Sequence, residues 1–136
     1  MFGKSIMIFF GHRLIESENL YHVQSIDAIS NTPASSIVFL NYHEDKLDVV
    51  KHGVVNGVRM ALHVESISEL MYGSALGCTY LTVNKSLAKT AQDLAQNYLF
   101  DAKILVHVES EDDIEELALL GVDGVVFSNA IIKINS

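Results

Sequence analysis

A short pattern, His-Val-x-Ser, occurs three times in the chain, beginning at His22, His63 and His107. Each copy precedes a helical pattern and then a second apolar run, and these runs end at Asn41, Asn84 and Asn129. Recurrence of one pattern along a chain is typical of a repeated supersecondary unit. Strands that alternate with helices of about ten residues favour parallel pairing with right-handed crossovers. The repeat therefore predicts a single α/β domain, residues 1–136, with a parallel sheet of about six βα units.

The apolar runs and the helical patterns between them give the expected elements. Repeat strands are predicted over Leu20–Gln24, Ser36–Tyr42, Gly57–Val64, Thr79–Val83, Lys103–Val108 and Gly124–Ser128, with a possible extra strand over Ser5–Phe10. Helices are predicted over Ile26–Ser30, Glu44–His52, Ile67–Leu76, Ser86–Tyr98 and Glu111–Leu120.

Capping residues support these boundaries. Ser25, Ser66 and Ser110 each precede a helical pattern, where a hydroxyl oxygen can accept a free N–H of the first turn. Glu69 and Asp113 stand three residues further on, as the partners of a capping box. Gly77 and Gly121 follow the last apolar residue of a helix, where a left-handed turn ends a helix most easily.

Alternation along one predicted strand separates two architectures. In Gly57–Val64 one face carries Val58, Met60, Leu62 and Val64, and the other carries Arg59, Ala61, His63 and then Glu65. A wall with helices outside and a more polar interior suits this pattern, whereas a doubly wound open sheet needs two apolar faces. We expect an incomplete TIM-barrel-like sheet, and a flavodoxin-like open sheet is the alternative.

Charge and hydropathy limit the partners. The formal charge is −8, from 17 acidic residues against nine Lys and Arg, so the field repels phosphodiester backbones and we expect no nucleic acid partner. Apolar runs are too short to cross a bilayer, and we expect no membrane partner. Mean hydropathy is +0.27, which favours a homo-oligomer that covers part of the apolar surface.

A single cysteine, Cys78, lies in an apolar run after Gly77 and is interpreted as a structural thiol. No signal-peptide core is recognisable near the amino terminus, because the run Ser5–Phe10 is too short. These observations predict a cytoplasmic protein.

Polar residues follow nearly every strand, at the ends where helix amino-termini and loops meet in a parallel sheet. They are His12, Arg13, His22, Gln24, Asn41, His43, His63, Glu65, Asn84, Lys85, His107, Glu109, Ser128 and Asn129. Imidazole and carboxylate groups that share a strand face, as in His63-Val64-Glu65 and His107-Val108-Glu109, act as general acid and base or hold a divalent metal. Anion binding is predicted for Arg13, Asn41, His43, Asn84, Lys85 and Asn129.

Two simpler interpretations stand beside these. Strand ends are wet in any fold, and His-Val-x-Ser also fits the duplication of a capped strand-to-helix turn without a site. Arg59 on the polar face of its strand needs a carboxylate or a ligand anion, and we expect an internal ion pair there.

Two segments resemble the glycerophosphodiester phosphodiesterase family, whose fold is an eight-stranded βα-barrel. Gly11-His12-Arg13 followed by Glu18-Asn19 is similar to the His-Arg-Gly and Glu-Asn pair after the first strand of that family. The passage Gly121–Val126 is similar to its last helix-to-strand connection. The resemblance implies a divalent-metal phosphodiesterase, with His12 as a catalytic acid or base and Glu18 as a metal ligand.

Three functional hypotheses follow. The first is binding of a small anionic metabolite, a class that includes phosphorylated ones, at the carboxyl ends of the strands. The second is metal-assisted hydrolysis or isomerisation of a phosphorylated molecule, with the candidates His12, Glu18, His63, Glu65, His107 and Glu109. The third is a structural module that pairs through an apolar face or sheet edge.

Overall fold

The computed structural model describes residues 6–134, which form eight strands and five α-helices. The strands are β1 Ile8–Phe10, β2 Leu20–His22, β3 Ile37–Asn41, β4 Arg59–His63, β5 Tyr80–Val83, β6 Lys103–Val108, β7 Gly124–Phe127 and β8 Ile131–Lys133. The helices are α1 Ile26–Ile29, α2 Leu47–Val55, α3 Ile67–Leu76, α4 Lys85–Asn97 and α5 Ile114–Leu120. Short 3-10 turns cover Glu44–Lys46, Glu111–Asp113 and Ser128–Ala130.

All paired strands run in parallel, in the order β1-β7-β6-β5-β4-β3-β2-β8. The predicted α/β class with helices between parallel strands is therefore confirmed. Each of the six repeat strands forms within a few residues of its predicted bounds. The extra strand also forms, over Ile8–Phe10, and the predicted part at Ser5 lies outside the described residues.

The sheet is strongly curled because of how its two ends are connected. β1 pairs with β7, and β8 pairs with β2. Only the turn Ser128–Ala130 separates β7 from β8, and such a link spans at most about 14 Å. Asn129, in the turn between β7 and β8, also donates from Nδ2 to the carbonyl oxygen of Gly11, which directly follows β1, at 3.0 Å. The result is a TIM-barrel-like wall that stays incomplete, since β1 and β8 do not pair with each other within residues 6–134.

The two faces of the sheet pack differently. The outer face packs on the helices through a large apolar cluster that contains Val38, Leu62, Leu81 and Val106. The inner face holds a smaller cluster of Phe10, Leu20, Ile37, Phe39, Ala61, Leu105, Val126 and Ala130. Because side chains alternate along a strand, the residues that follow this small cluster towards the carboxyl ends also point inward. The predicted polar inner face of β4 is thus confirmed, and it places His63 inside.

Several details differ from the expectations. β8 was not predicted, because its three residues follow Asn129, which marks the end of an apolar run in the sequence. Ser25, Ser66 and Ser110 cap their turns as expected. The capping boxes are not formed, since Glu69 accepts from the N–H of Glu65 and Asp113 binds Lys85.

Cys78 is buried, which agrees with a structural thiol, and burial raises its pKa to about 12. In the part of the chain that is described, no helix has the length and apolar character that crossing a bilayer demands. The homo-oligomer stays a prediction. The most exposed large apolar side chains are those of Ile6, Val55, Leu99 and Leu119.

Candidate functional site

An open cleft of about 580 Å³ lies at the carboxyl ends of the strands. Its polar lining consists of His22, Asn41, His63, Asn84, Lys85, His107, Glu109, Asp113 and Ser128. Phe39, Val126 and Ile131 form its apolar part. The cleft therefore gathers residues from β2, β3, β4, β6, β7 and β8, and Asn84 after β5, at the edge of the sheet where a ligand of a parallel α/β sheet is normally bound.

Strand register explains which side chains meet there. Asn41 pairs with His63 across β3 and β4, and His63 pairs with Thr82 across β4 and β5. Thr82 pairs with Leu105 across β5 and β6, and His107 lies two residues further towards the carboxyl end of β6, on the same face as Leu105. These side chains all point inward, so they form one polar layer above the small inner apolar cluster.

Three of these groups, His63, Thr82 and His107, are joined with Glu65 by hydrogen bonds. His63 Nε2 lies 2.6 Å from Glu65 Oε2, and His63 Nδ1 lies 3.0 Å from Thr82 Oγ1. The same threonine oxygen lies 2.8 Å from His107 Nε2. The two imidazole rings meet edge to face, with centroids 4.8 Å apart. His63 and Thr82 are buried, and Glu65 is exposed.

Burial holds His107 in its neutral form. Loss of water around the ring, reinforced by the neighbouring His63, lowers the pKa of His107 to about 4, against a smaller opposing effect of Glu65. Phe39 contributes to this dry environment, with ring centroids 5.9 Å from His107 and 5.2 Å from His22. Burial also lowers the pKa of His22, and Lys133 acts in the same direction. The cleft therefore presents neutral imidazoles at pH 7 at these two positions.

Helix α4 begins at the edge of the cleft without a side-chain cap. The turns that follow β2, β3, β4 and β6 are capped by Ser25, His43, Ser66 and Ser110. Asn84 precedes α4 in an extended conformation and makes no capping hydrogen bond, and the first turn has no acidic residue. Free N–H groups at this helix start therefore remain for a ligand.

Lys85 is not a free cation. Its ammonium lies 2.9 Å from Asp113 Oδ1 and 3.4 Å from Glu116 Oε2. Hydrogen bonds to these two carboxylates raise the pKa of Lys85. Lys85 thus holds the acidic side of the cleft in place, and it provides less charge for an anion than the sequence suggests.

The candidates from the first connection lie elsewhere. His12 follows β1 and packs edge to face between Phe9 and Phe127, on the helix side of the sheet. Arg13 Nε lies 2.7 Å from Glu111 Oε2, and His12 Nε2 lies 3.7 Å from Glu111 Oε1. These side chains form a separate cluster that does not line the cleft.

Glu18 lies at the opposite, amino edge of the sheet. Its two oxygens accept hydrogen bonds of 2.9 and 2.6 Å from Arg59, the first residue of β4. The guanidinium lowers the pKa of the Glu18 carboxyl. The expected ion pair of Arg59 is therefore confirmed, and the position of Glu18 corrects the expectation that it meets the histidines at one point. The segment between two parallel strands must return from the carboxyl edge to the amino edge, and Glu18 is at the end of that segment.

Two further candidates lie outside the cleft. The ring of His43 accepts from the N–H of Asp45 at 3.2 Å and caps a 3-10 turn. Asn129 binds the carbonyl oxygen of Gly11. Both positions are at the carboxyl edge, but their side chains do not line the cleft with His63 and His107.

Thr82 and Phe39 are among the residues of the site that sequence reasoning missed. Threonine and phenylalanine are common in strands, so neither attracts notice by type. A signal existed in the alternation of β5, because Thr82 stands two residues before Asn84, at a position of the same strand face.

Neither the cleft nor the remainder of residues 6–134 contains three or more His, Cys, Asp or Glu side chains in an arrangement that could hold a metal ion. In the cleft, both ring nitrogens of His63 are already used by Glu65 and Thr82. The side chains present therefore do not fit the divalent-metal centre that the family resemblance implies.

A second cavity, of about 750 Å³, lies at the amino edge. Although it is larger, its cation Arg59 is already bound by Glu18. The imidazole, amide and carboxylate side chains described above are gathered at the smaller cleft.

No protein-family model matches this chain, and no curated protein matches it in sequence.

Proposed function

We propose that the cleft binds a small metabolite with one anionic group and one or more hydroxyl or carbonyl groups. The observation that carries this proposal is the combination, in one open cleft, of the uncapped start of α4 with inward polar side chains of four neighbouring strands. Pockets with a few convergent polar groups on a rigid apolar base are the usual form of small-molecule sites.

The lining is divided between donors and acceptors. The donors lie at the start of α4, where Asn84 lines the cleft and the first turn has free N–H groups. Acceptors lie on the side of β6, in Glu109 and Asp113. An anionic group suits the first side and hydroxyl groups suit the second.

The negative field of the chain opposes any anion. Since Lys85 is bound by Asp113 and Glu116, attraction must come from the helix dipole and from neutral hydrogen-bond donors. We therefore expect moderate affinity, and specificity for groups small enough to reach the first turn of α4. A cytoplasmic setting is part of this proposal, because a lone buried thiol suits a reducing compartment.

The substitution Asn84→Asp separates binding from folding. Aspartate is as good a helix cap as asparagine, so the free energy of unfolding is expected to stay the same or rise by about 1 kcal/mol. The new carboxylate occupies the free N–H groups and repels an anion, which is expected to weaken binding by about ten-fold or more. Isothermal titration calorimetry with orthophosphate and with pyruvate measures this effect.

Asn31→Asp is the matched control. It makes the same change of charge at an exposed position between α1 and β3, away from the cleft. Unchanged binding in Asn31→Asp with weaker binding in Asn84→Asp supports the site. Equal affinity in all three proteins, or no binding of either anion, contradicts it.

A further inference from the structure

The series Glu65, His63, Thr82 and His107 connects the exposed rim to the interior of the cleft. Its three contacts are 2.6, 3.0 and 2.8 Å, all within hydrogen-bond range. Thr82 is fully buried and bridges both imidazoles. A buried hydroxyl between two histidines restricts where every proton in the series can be.

The proton positions follow from counting donors. With Glu65 ionised and His63 neutral, the carboxylate only accepts, so His63 carries its single proton on Nε2 and leaves Nδ1 as an acceptor. The hydroxyl of Thr82 has one proton, which it donates to His63 Nδ1. Its oxygen then accepts the Nε2–H of His107. This arrangement assigns a lone pair to Nδ1 of His107.

Nothing among residues 6–134 donates to that lone pair, since the hydrogen bonds of the His107 ring are confined to Thr82. His107 lines the cleft together with Glu109, Asn41 and Asn84. A neutral imidazole nitrogen with an unused lone pair, on a residue that lines a ligand site, is a candidate proton acceptor.

We propose that His107 Nδ1 takes a proton from a carbon next to a carbonyl group of the bound anion, and that Thr82, His63 and Glu65 pass on the compensating proton. This inference rests on the proposed anion site for the position of the substrate. The substrate class is a small carboxylate or phosphate with an enolisable carbonyl, and the outcome is isomerisation or isotope exchange.

The protons and electrons balance within this series. The C–H electron pair forms a C=C bond, the carbonyl π pair moves to oxygen, and Nδ1 of His107 gains the proton. His107 Nε2 gives its proton to Thr82, Thr82 gives its own to His63 Nδ1, and His63 Nε2 gives one to Glu65. Both imidazoles stay neutral and Glu65 becomes a carboxylic acid. When His107 returns its Nδ1 proton to the carbon or to the enolate oxygen, the transfers along the series run in reverse. The protein then regains its starting protonation state without any oxidant.

Burial of His107 explains why it depends on the other three residues to accept a proton. Because the surroundings of His107 disfavour an imidazolium, His107 alone is a weak base at neutral pH. The series moves the added proton to Glu65, whose side chain is 65% exposed. His107 is then the catalytic residue, and the other three are positioning residues.

The first test needs no ligand. Long-range ¹H–¹⁵N spectra of the histidine rings at pH 7 are expected to show His107 and His63 protonated on Nε2 and bare on Nδ1. In Thr82→Val the preference of His107 for this tautomer is expected to weaken, and Thr82→Ser, which keeps the hydroxyl, restores it. A His107 ring protonated on Nδ1 in the unmodified protein overturns the proposal.

The second test follows loss of the C–H signal of pyruvate and of glycolaldehyde phosphate in D₂O by ¹H NMR. We expect the protein to accelerate exchange of one of them above buffer, with His107→Gln about 100-fold slower and Thr82→Val at least about ten-fold slower. Thr82→Ser is expected to recover most of the rate, with a pH profile like that of the unmodified protein. Lys89→Gln, an exposed change on α4, is the control that leaves the rate unchanged.

The outcomes separate the two proposals. If calorimetry detects orthophosphate or pyruvate, and neither pyruvate nor glycolaldehyde phosphate exchanges, the proton transfer is wrong and the anion site stands. If neither orthophosphate nor pyruvate binds, and neither pyruvate nor glycolaldehyde phosphate exchanges, both proposals fail. Equal exchange in Thr82→Val and Thr82→Ser also overturns the role of the series.

Discussion

Replacement of Phe39 by alanine is expected to lower the free energy of unfolding by about 4 kcal/mol. Phe39 is 4% exposed in the inner apolar cluster, and its ring contacts both His22 and His107 edge to face. Its loss leaves a void that opens to the cleft, so water is expected to reach His107 and raise its pKa towards the usual value. Urea denaturation measures the first effect and NMR titration of the ring protons measures the second.

Phe39→Leu is the matched control for this change. A leucine keeps most of the apolar volume, and we expect a loss of about 1 to 1.5 kcal/mol with the pKa of His107 still low. If the pKa of His107 is the same in Phe39→Ala as in the unmodified protein, Phe39 is not the group that keeps water from the ring.

Replacement of Gly124 by alanine is expected to destabilise the protein by about 3 kcal/mol. A β carbon at this position would lie 2.6 Å from the carbonyl oxygen of Ile8 and 2.8 Å from its Cβ. Ile8 is the direct partner of Gly124 in the pair of β1 with β7, so the obstacle is backbone that cannot rotate away. β1, the edge strand of the sheet, must then separate from β7. The midpoint of urea denaturation measures the loss.

Gly121→Ala provides the comparison. Gly121 has a φ of +78° and nothing within 4 Å of the added carbon, so its cost comes from backbone conformation alone, about 1 kcal/mol. Equal losses in the two variants would mean that the contact between β1 and β7 tolerates the extra carbon, and the close packing described for this pair would be wrong.

The fold was predictable because its signals are local and repeated. Alternation in Gly57–Val64 distinguished an inner from an outer face, and that distinction placed His63 inside. Gly77 and Gly121 end α3 and α5 in the left-handed conformation that their positions indicate. β8 escaped prediction, because three residues after a turn carry no periodicity of their own.

The site was predictable only in part, since it depends on the direction of side chains across strands. His63, His107 and Asn84 follow from the rule that the carboxyl ends of parallel strands share an edge. Thr82 acquires its role only through its register with His63. Glu18 was a candidate only through the family resemblance, and the connection after β1 carries it to the other edge of the sheet, where it binds Arg59.

The central claim is that ligands bind at the carboxyl edge of this sheet and not at the amino edge. Titration of ¹⁵N-labelled protein with orthophosphate, followed by amide chemical shifts, tests it most directly. The account predicts the largest changes at the backbone amides that open α4 and at the side-chain amides of Asn41 and Asn84. Largest changes around Ser35, Asn56 and Arg59, in the cavity at the amino edge, would contradict it.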